Sequence, residues 1–121
     1  MPKVAGVTDD FFSMESTFSK MKKSAVFMNI GRGTTVNEDD LVTALDSEII
    51  AGAVLDVFKV EPLVKESKLW DCKNVLMTPH CADQDKDFLH RATAGFATNL
   101  KLYSEGGPDK LVNVCDKNKG Y

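Results

Sequence analysis

Three side chains in this sequence are of types that could do chemistry together: Arg32 in Asn29-Ile30-Gly31-Arg32-Gly33, Glu61 ahead of Pro62, and His80 in Thr78-Pro79-His80. A planar guanidinium forms two parallel charge-assisted hydrogen bonds to a carboxylate, so Arg32 would hold an organic acid more firmly than a lysine. An imidazole near neutral pKa can give a proton and recover it. A carboxylate beside it favours the imidazolium and raises that pKa, which is the use Glu61 would have. Singly, each has a plain structural explanation: Arg32 as a surface arginine after a glycine turn, Glu61-Pro62 as an ordinary loop, His80 as a helix-entry histidine. Their conjunction points to a site.

The elements around them explain how three distant residues could meet. Ala25 to Ile30, Ala51 to Val57 and Asn74 to Thr78 are nearly all apolar, without the alternation of a sheet that has one wet face, and read as strands buried on both faces. Helical patterns separate them, so the strands should be parallel with crossovers on the faces. Parallel strands end at one edge, and ligands of open α/β sheets bind outside those carboxyl ends. Arg32 lies just past the first strand, Glu61 four residues past the second and His80 two past the third. Neighbouring strands are about 4.8 Å apart, so one row of side chains can face one ligand.

Between the strands, Ser13 is a plausible N-cap for a helix carrying Met14, Phe18 and Met21. Asn37 caps a second, with Glu38, Asp39 and Asp40 in its first turn and Leu41, Ala44 and Leu45 as its buried stripe. Pro62 to Asp71 is irregular, with Trp70 tucked against the body. Asp83 to Tyr103 is the longest helix, with Leu89, Ala92, Phe96, Leu100 and Tyr103 on one face, as core packing or a docking face, stopped by Gly106-Gly107-Pro108. A polar tail follows. Met1 to Thr8 reads as the end of a preceding strand and its turn, so the natural chain is expected to continue upstream and the first strand to show a bare edge. The fold class is α/β, the C-terminal half of a doubly wound, Rossmann-type parallel sheet with flanking helices; residues 1–105 form the partial domain and 106–121 a tail.

At 121 residues the chain suffices for one small domain and is too short for two. A net charge of -3 leaves no basic footprint for nucleic acid, and no apolar run approaches the roughly 20 residues of a membrane span. Cys72, Cys81 and Cys115 are odd in number and lack paired spacing, so they read as reduced thiols of a cytoplasmic protein. No signal peptide opens at Met1.

Asn29-x-x-Arg32-Gly33-x-x-Val36-x-Glu38, Gly52-Ala53-x-Leu55-Asp56-Val57-x-x-x-Glu61-Pro62-Leu63 and Asn74-Val75-x-x-Thr78-Pro79-His80 strongly resemble, in order and spacing, motifs of the D-isomer-specific 2-hydroxyacid dehydrogenases. That family includes glyoxylate/hydroxypyruvate reductases and phosphoglycerate dehydrogenase. The resemblance runs from about Pro2 to His80, and Asn113 to Tyr121 looks like the family's end. It implies an NAD- or NADP-dependent interconversion of a small 2-oxo acid and a D-2-hydroxy acid by hydride transfer. In it Arg32 would grip the substrate's carboxylate and carbonyl, and His80 would be the acid/base with Glu61 as its partner. Ile30 and Gly31 would line the nicotinamide and Asp56 would lie by its carboxamide; Asp56 could instead simply cap the following loop. A homodimer is expected of the full-length protein.

His80, Cys81, Asp83, Asp85 and His90 offer ligand atoms for a metal, but the run lacks the paired Cys or His spacing of zinc sites, and no metal is expected. Cys81 could be an oxidation-sensitive thiol, though a small buried side chain is the better reading. Nowhere in the 121 residues is there a Gly-x-Gly-x-x-Gly, the pyrophosphate cradle of a dinucleotide fold, nor the family's substrate-binding domain. Two functions therefore stay open: part of such an oxidoreductase, inactive by itself, or a truncated non-catalytic product that acts only as an interaction or oligomerisation module.

Overall fold

The computed structural model describes Val4 and residues 6–117. The chain divides into two compact units, Met1–Ala82 and Asp83–Tyr121.

In the first unit, β1 (Val26–Asn29), β2 (Gly52–Leu55) and β3 (Val75–Met77) form a parallel sheet in the order β1-β2-β3. Val26 pairs with Gly52 and Ala53 with Val75, so the strands are nearly flush and end at one edge, as expected. The helix α1 (Glu38–Asp46) makes the crossover from β1 to β2. Its start is as read: the Asn37 carboxamide accepts from the Asp40 N–H at 3.1 Å, and three acidic residues fill the first turn. Leu41, Val42, Ala44 and Leu45 are buried, packed into one core with Phe27, Ala53, Leu55 and Leu69. Phe27 meets Phe12 and Phe18 edge-on, each with ring centroids 5.3 Å apart.

Burial on both faces does not hold. β1 alternates: Phe27 and Asn29 are buried while Val26 and Met28 are more than half exposed, and on the same bare face of β3 Leu76 is 61% exposed. α1 covers one face only, so an apolar sequence composed for two covers meets solvent on the other.

Two further expectations are corrected. The Ser13 helix is instead a run of turns ending in a single 3₁₀ turn at Phe18–Lys20. Ser13 and Ser16 bond each other at 2.9 Å and Ser16 Oγ donates to the Phe11 carbonyl, so these hydroxyls compete with helical backbone bonding. Trp70 is not tucked in: it is 54% exposed, its indole N–H donating to the Val64 carbonyl, and Leu69 of the same 3₁₀ turn enters the core in its place. Of the Met1–Thr8 reading, Met1–Lys3 and Ala5 lie outside the described residues; Val4 carbonyl accepts from the N–H groups of Val7 and Thr8 in a turn.

The second unit is the helix α2 (Phe88–Gly106) and a short 3₁₀ turn at Pro108–Lys110. α2 starts later than read because Asp85 bonds the Asp87 N–H with its own side chain, at 2.7 Å, and forms a turn rather than helix. Gly107, at φ 74°, ends it as expected. No residue of α2 is buried; Leu89, Phe96, Leu100 and Tyr103 are all more than half exposed, so the stripe is not core packing. Asn99 holds the residues after it, accepting from the Val112 N–H and donating to its carbonyl.

Candidate active site

The loops beyond β2 and β3 build one half of the site. Asp56 follows β2 directly, its N–H bonded to the Asn29 carbonyl at 2.9 Å, and the residue is only 2% exposed. That carboxylate accepts from Thr78 Oγ1 at 2.5 Å and from the Cys81 and Ala82 N–H groups at 2.9 Å, while its carbonyl accepts the His80 N–H at 2.8 Å. Asp56 thus ties down residues 78–82 from the neighbouring strand. The bonds from Thr78, then Cys81 and Ala82, hold its pKa at about 2 against the opposing effect of burial. His80 sits at φ 52°, a left-handed conformation uncommon for a residue with a side chain, and these bonds keep it there.

Glu61 returns toward the sheet because its Oε1 accepts from the Phe58 N–H at 2.8 Å. Its Oε2 is then 2.7 Å from His80 Nδ1. A carboxylate only accepts, so Nδ1 carries the proton and Nε2 is the nitrogen left to face a ligand. The hydrogen bond to Glu61, and next its charge, raise the His80 pKa above the ordinary 6.5, with Asp56 adding to the effect; burial and the Arg32 charge work against it. The same bond, and then the Phe58 N–H, lower the Glu61 pKa.

The turn after β1 builds the other half. The Asn29 carboxamide accepts the Gly31 N–H at 3.1 Å and donates to the Arg32 carbonyl at 3.1 Å, and Thr35 Oγ1 donates to that carbonyl at 2.7 Å. Both Asn29 and Thr35 are buried. A Cβ on Gly33 would lie 1.9 Å from the Phe58 carbonyl carbon, so this turn can cross the loop after β2 only with glycine there. The Arg32 guanidinium itself is exposed and, among the described residues, bonds only its neighbour, the Gly31 carbonyl, at 2.8 Å.

Arg32, Glu61 and His80 line one recess of about 170 Å³, with Thr34 and Lys59. Thr34 Oγ1 in its wall is shielded from solvent and has no hydrogen-bond partner among the described residues, so a ligand oxygen could use it. The structure thus brings the three residues to one recess, with His80 and Glu61 bonded to each other and Arg32 open. Ile30 stands at the carboxyl edge of β1, an apolar side chain 60% exposed, with Gly31 next to it. Asp56 has the geometry of the loop cap, its carboxylate bonded within the protein. Sequence reasoning did not single out Asn29, Thr35, Thr78 or the Phe58 N–H as positioning groups; an Asn closing a strand ahead of a glycine is a recognisable turn signal, whereas the Asp56–Thr78 bond spans 22 residues and leaves none. Among the described residues no cluster of three or more His, Cys, Asp or Glu could hold a metal ion.

The chain was compared with known proteins. Residues 7–82 match the family model described as D-isomer specific 2-hydroxyacid dehydrogenase, NAD binding domain. A probable 2-ketogluconate reductase of Dictyostelium discoideum is 44% identical over 103 residues, 85% of this chain and 30% of that protein. Glyoxylate/hydroxypyruvate reductase A of Citrobacter koseri is 53% identical over 64 residues, 53% of this chain and 20% of that protein. Among solved structures, an NADPH-dependent glyoxylate/hydroxypyruvate reductase of Sinorhizobium meliloti, in complex with NADP and sulfate, superposes with a TM-score of 0.85 at 33% identity, covering 100% of this chain and 38% of that one. The chain thus spans well under half the length of these relatives. With the match extending from before β1 through the Asp56-tethered loop that carries His80, the chain belongs to the D-isomer-specific 2-hydroxyacid dehydrogenase family, as part of its NAD-binding domain.

Proposed function

We propose that this chain supplies the substrate-clamp and acid/base portion of an NAD(P)-dependent oxidoreductase that interconverts a 2-oxo acid and a D-2-hydroxy acid. The observation that carries the reading is the 2.7 Å His80–Glu61 pair in one recess with the open Arg32 guanidinium. Arg32 takes the substrate carboxylate in a two-bond clamp, which turns the 2-carbonyl toward His80. The cofactor, when bound, supplies or accepts the hydride. In reduction, His80 gives its Nε2 proton to the carbonyl oxygen as that oxygen becomes a hydroxyl, and Glu61 stabilises the imidazolium beforehand. In oxidation the neutral Nε2 takes the hydroxyl proton. Ile30 and Gly31 line the nicotinamide; Asp56 lies beside the carboxamide of the nicotinamide and, chiefly, places His80. On this reading residues 1–105 belong to the cofactor-binding domain and 106–121 to the tail.

The test is to exchange residues 7–82 into the Citrobacter koseri reductase. The exchanged protein should reduce glyoxylate, and His80→Ala in it should lower the rate about 10²- to 10⁴-fold with cofactor binding little changed. An active His80→Ala protein would refute the assignment. The 121-residue chain alone, without a pyrophosphate cradle, should show no loss of NADH or NADPH absorbance with glyoxylate, hydroxypyruvate or pyruvate.

One observation favours a second reading, the chain as an interaction module only: Val26, Met28 and Leu76 on the sheet, and Leu89, Phe96 and Leu100 on α2, are apolar and exposed. Concentration-dependent self-association of the purified chain, lost when Phe96 and Leu100 are changed to Ser, would support it.

A further inference from the structure

His80 and Glu61 form a wall shared by two recesses of opposite character. On one side is the recess with Arg32. On the other is a larger one of about 520 Å³, whose walls beyond His80, Glu61 and Thr78 are Phe58, Pro62, Leu63, Trp70, Met77 and Pro79. Its size and its mostly apolar walls, with a few polar groups among them, are those of a small-molecule pocket. Trp70 is fixed through its indole N–H to the Val64 carbonyl, yet is 54% exposed.

A 2-oxo acid carries its carboxylate and its side chain on opposite sides of the carbonyl carbon. With the carboxylate on Arg32 and the carbonyl at His80, the side chain is directed past His80, away from Arg32. We propose that the large recess receives this side chain, and that the substrate is a 2-oxo acid with an uncharged apolar substituent of several carbons. The inference rests on the function proposed above and specifies its substrate. The charge of the walls supports the apolar choice: they contain no lysine or arginine and do contain Glu61, so a second carboxylate or a phosphate on the substituent would be repelled.

Trp70, the single tryptophan, lies in the wall and reports on occupancy. Glyoxylate, pyruvate, 2-oxoglutarate and 4-methyl-2-oxopentanoate would be titrated into the 121-residue chain, following Trp70 fluorescence and, by NMR, the His80 ring signals. The expected result is that 4-methyl-2-oxopentanoate binds at least about tenfold more tightly than glyoxylate or 2-oxoglutarate, as burial of an isobutyl group allows, and alone shifts the tryptophan emission. Trp70→Ala, read by NMR, should abolish that preference. If the four acids bind alike, all lose binding in Arg32→Ala, and none moves the fluorescence, the inference falls while the function proposed above stands. If no acid depends on Arg32, both fall.

Discussion

The two halves of the recess are prepared to different degrees. On the side of β2 and β3, Glu61 is bonded to Phe58 and to His80, and His80 is fixed through its own N–H and through the Cys81 and Ala82 N–H groups to Asp56. On the side of β1 the backbone of the turn is equally well tied, by Asn29 and Thr35, but the guanidinium of Arg32 leans on the carbonyl of Gly31 and is exposed. The half with His80 and Glu61 is set before any ligand arrives; the half with Arg32 has its backbone set and its side chain open. A group that must keep one tautomer and one orientation benefits when it is fixed in advance, whereas a clamp has to exchange a local bond for the ligand.

The sharpest way to break this contrast is at Asp56. Asp56→Ala removes the acceptor for Thr78 Oγ1 and for two N–H groups, so the loop carrying His80 should loosen and the melting midpoint of the chain should fall by roughly 10 °C, checked by calorimetry. The turn that carries Arg32 should be affected far less, so its amide exchange should stay slow while residues 78–82 exchange fast. Uniform loosening of both would mean that the halves are not separately built.

A smaller effect is expected at Arg32. In the exchanged reductase, Arg32→Lys keeps the charge and loses the planar fork, so the specificity constant for a 2-oxo acid should fall by more than about tenfold with the cofactor dissociation constant unchanged. A defect confined to cofactor affinity would remove Arg32 from the substrate.

The smallest effect is at Thr34, whose shielded hydroxyl has no partner among the described residues. Thr34→Val should leave stability unchanged or raise it by up to about 1 kcal/mol, while weakening ligand binding if the hydroxyl meets a substrate oxygen. Urea unfolding and ligand titration measure the two separately.

The difference between the halves also decides what could be read in the sequence. Arg32, Glu61 and His80 were legible because strand ends in a parallel sheet share an edge, and the apolar runs mark those ends. Asn37 was legible because a cap acts within its own first turn. The Asp56 network was not, since it joins residues distant in sequence that only the β2–β3 register brings together. The solvent-facing side of the sheet escaped notice for a different reason: an apolar run records what a strand is composed to meet, and Val26, Met28 and Leu76 are composed for a cover that α1 does not provide. The Ser13 segment misled because its hydroxyls cap a helix or replace one equally well.

The central claim, that the fold itself holds His80 as a Glu61-stabilised acid/base, is tested most directly by titrating the His80 imidazole in the 121-residue chain by NMR, beside Glu61→Gln. Since the folded His80 pKa is raised above the ordinary 6.5, the pair's contribution to stability is complete below that pH and is lost as pH rises through the folded value. Glu61, lowered from its ordinary 4.5, contributes above that pH and loses its contribution on acidification. The wild-type chain should therefore show a His80 midpoint above 6.5 and the strongest contribution of the pair between about 4.5 and 6.5, and Glu61→Gln should lower the midpoint and flatten the alkaline decline. A wild-type midpoint at or below 6.5, or one that Glu61→Gln leaves in place, would contradict the account.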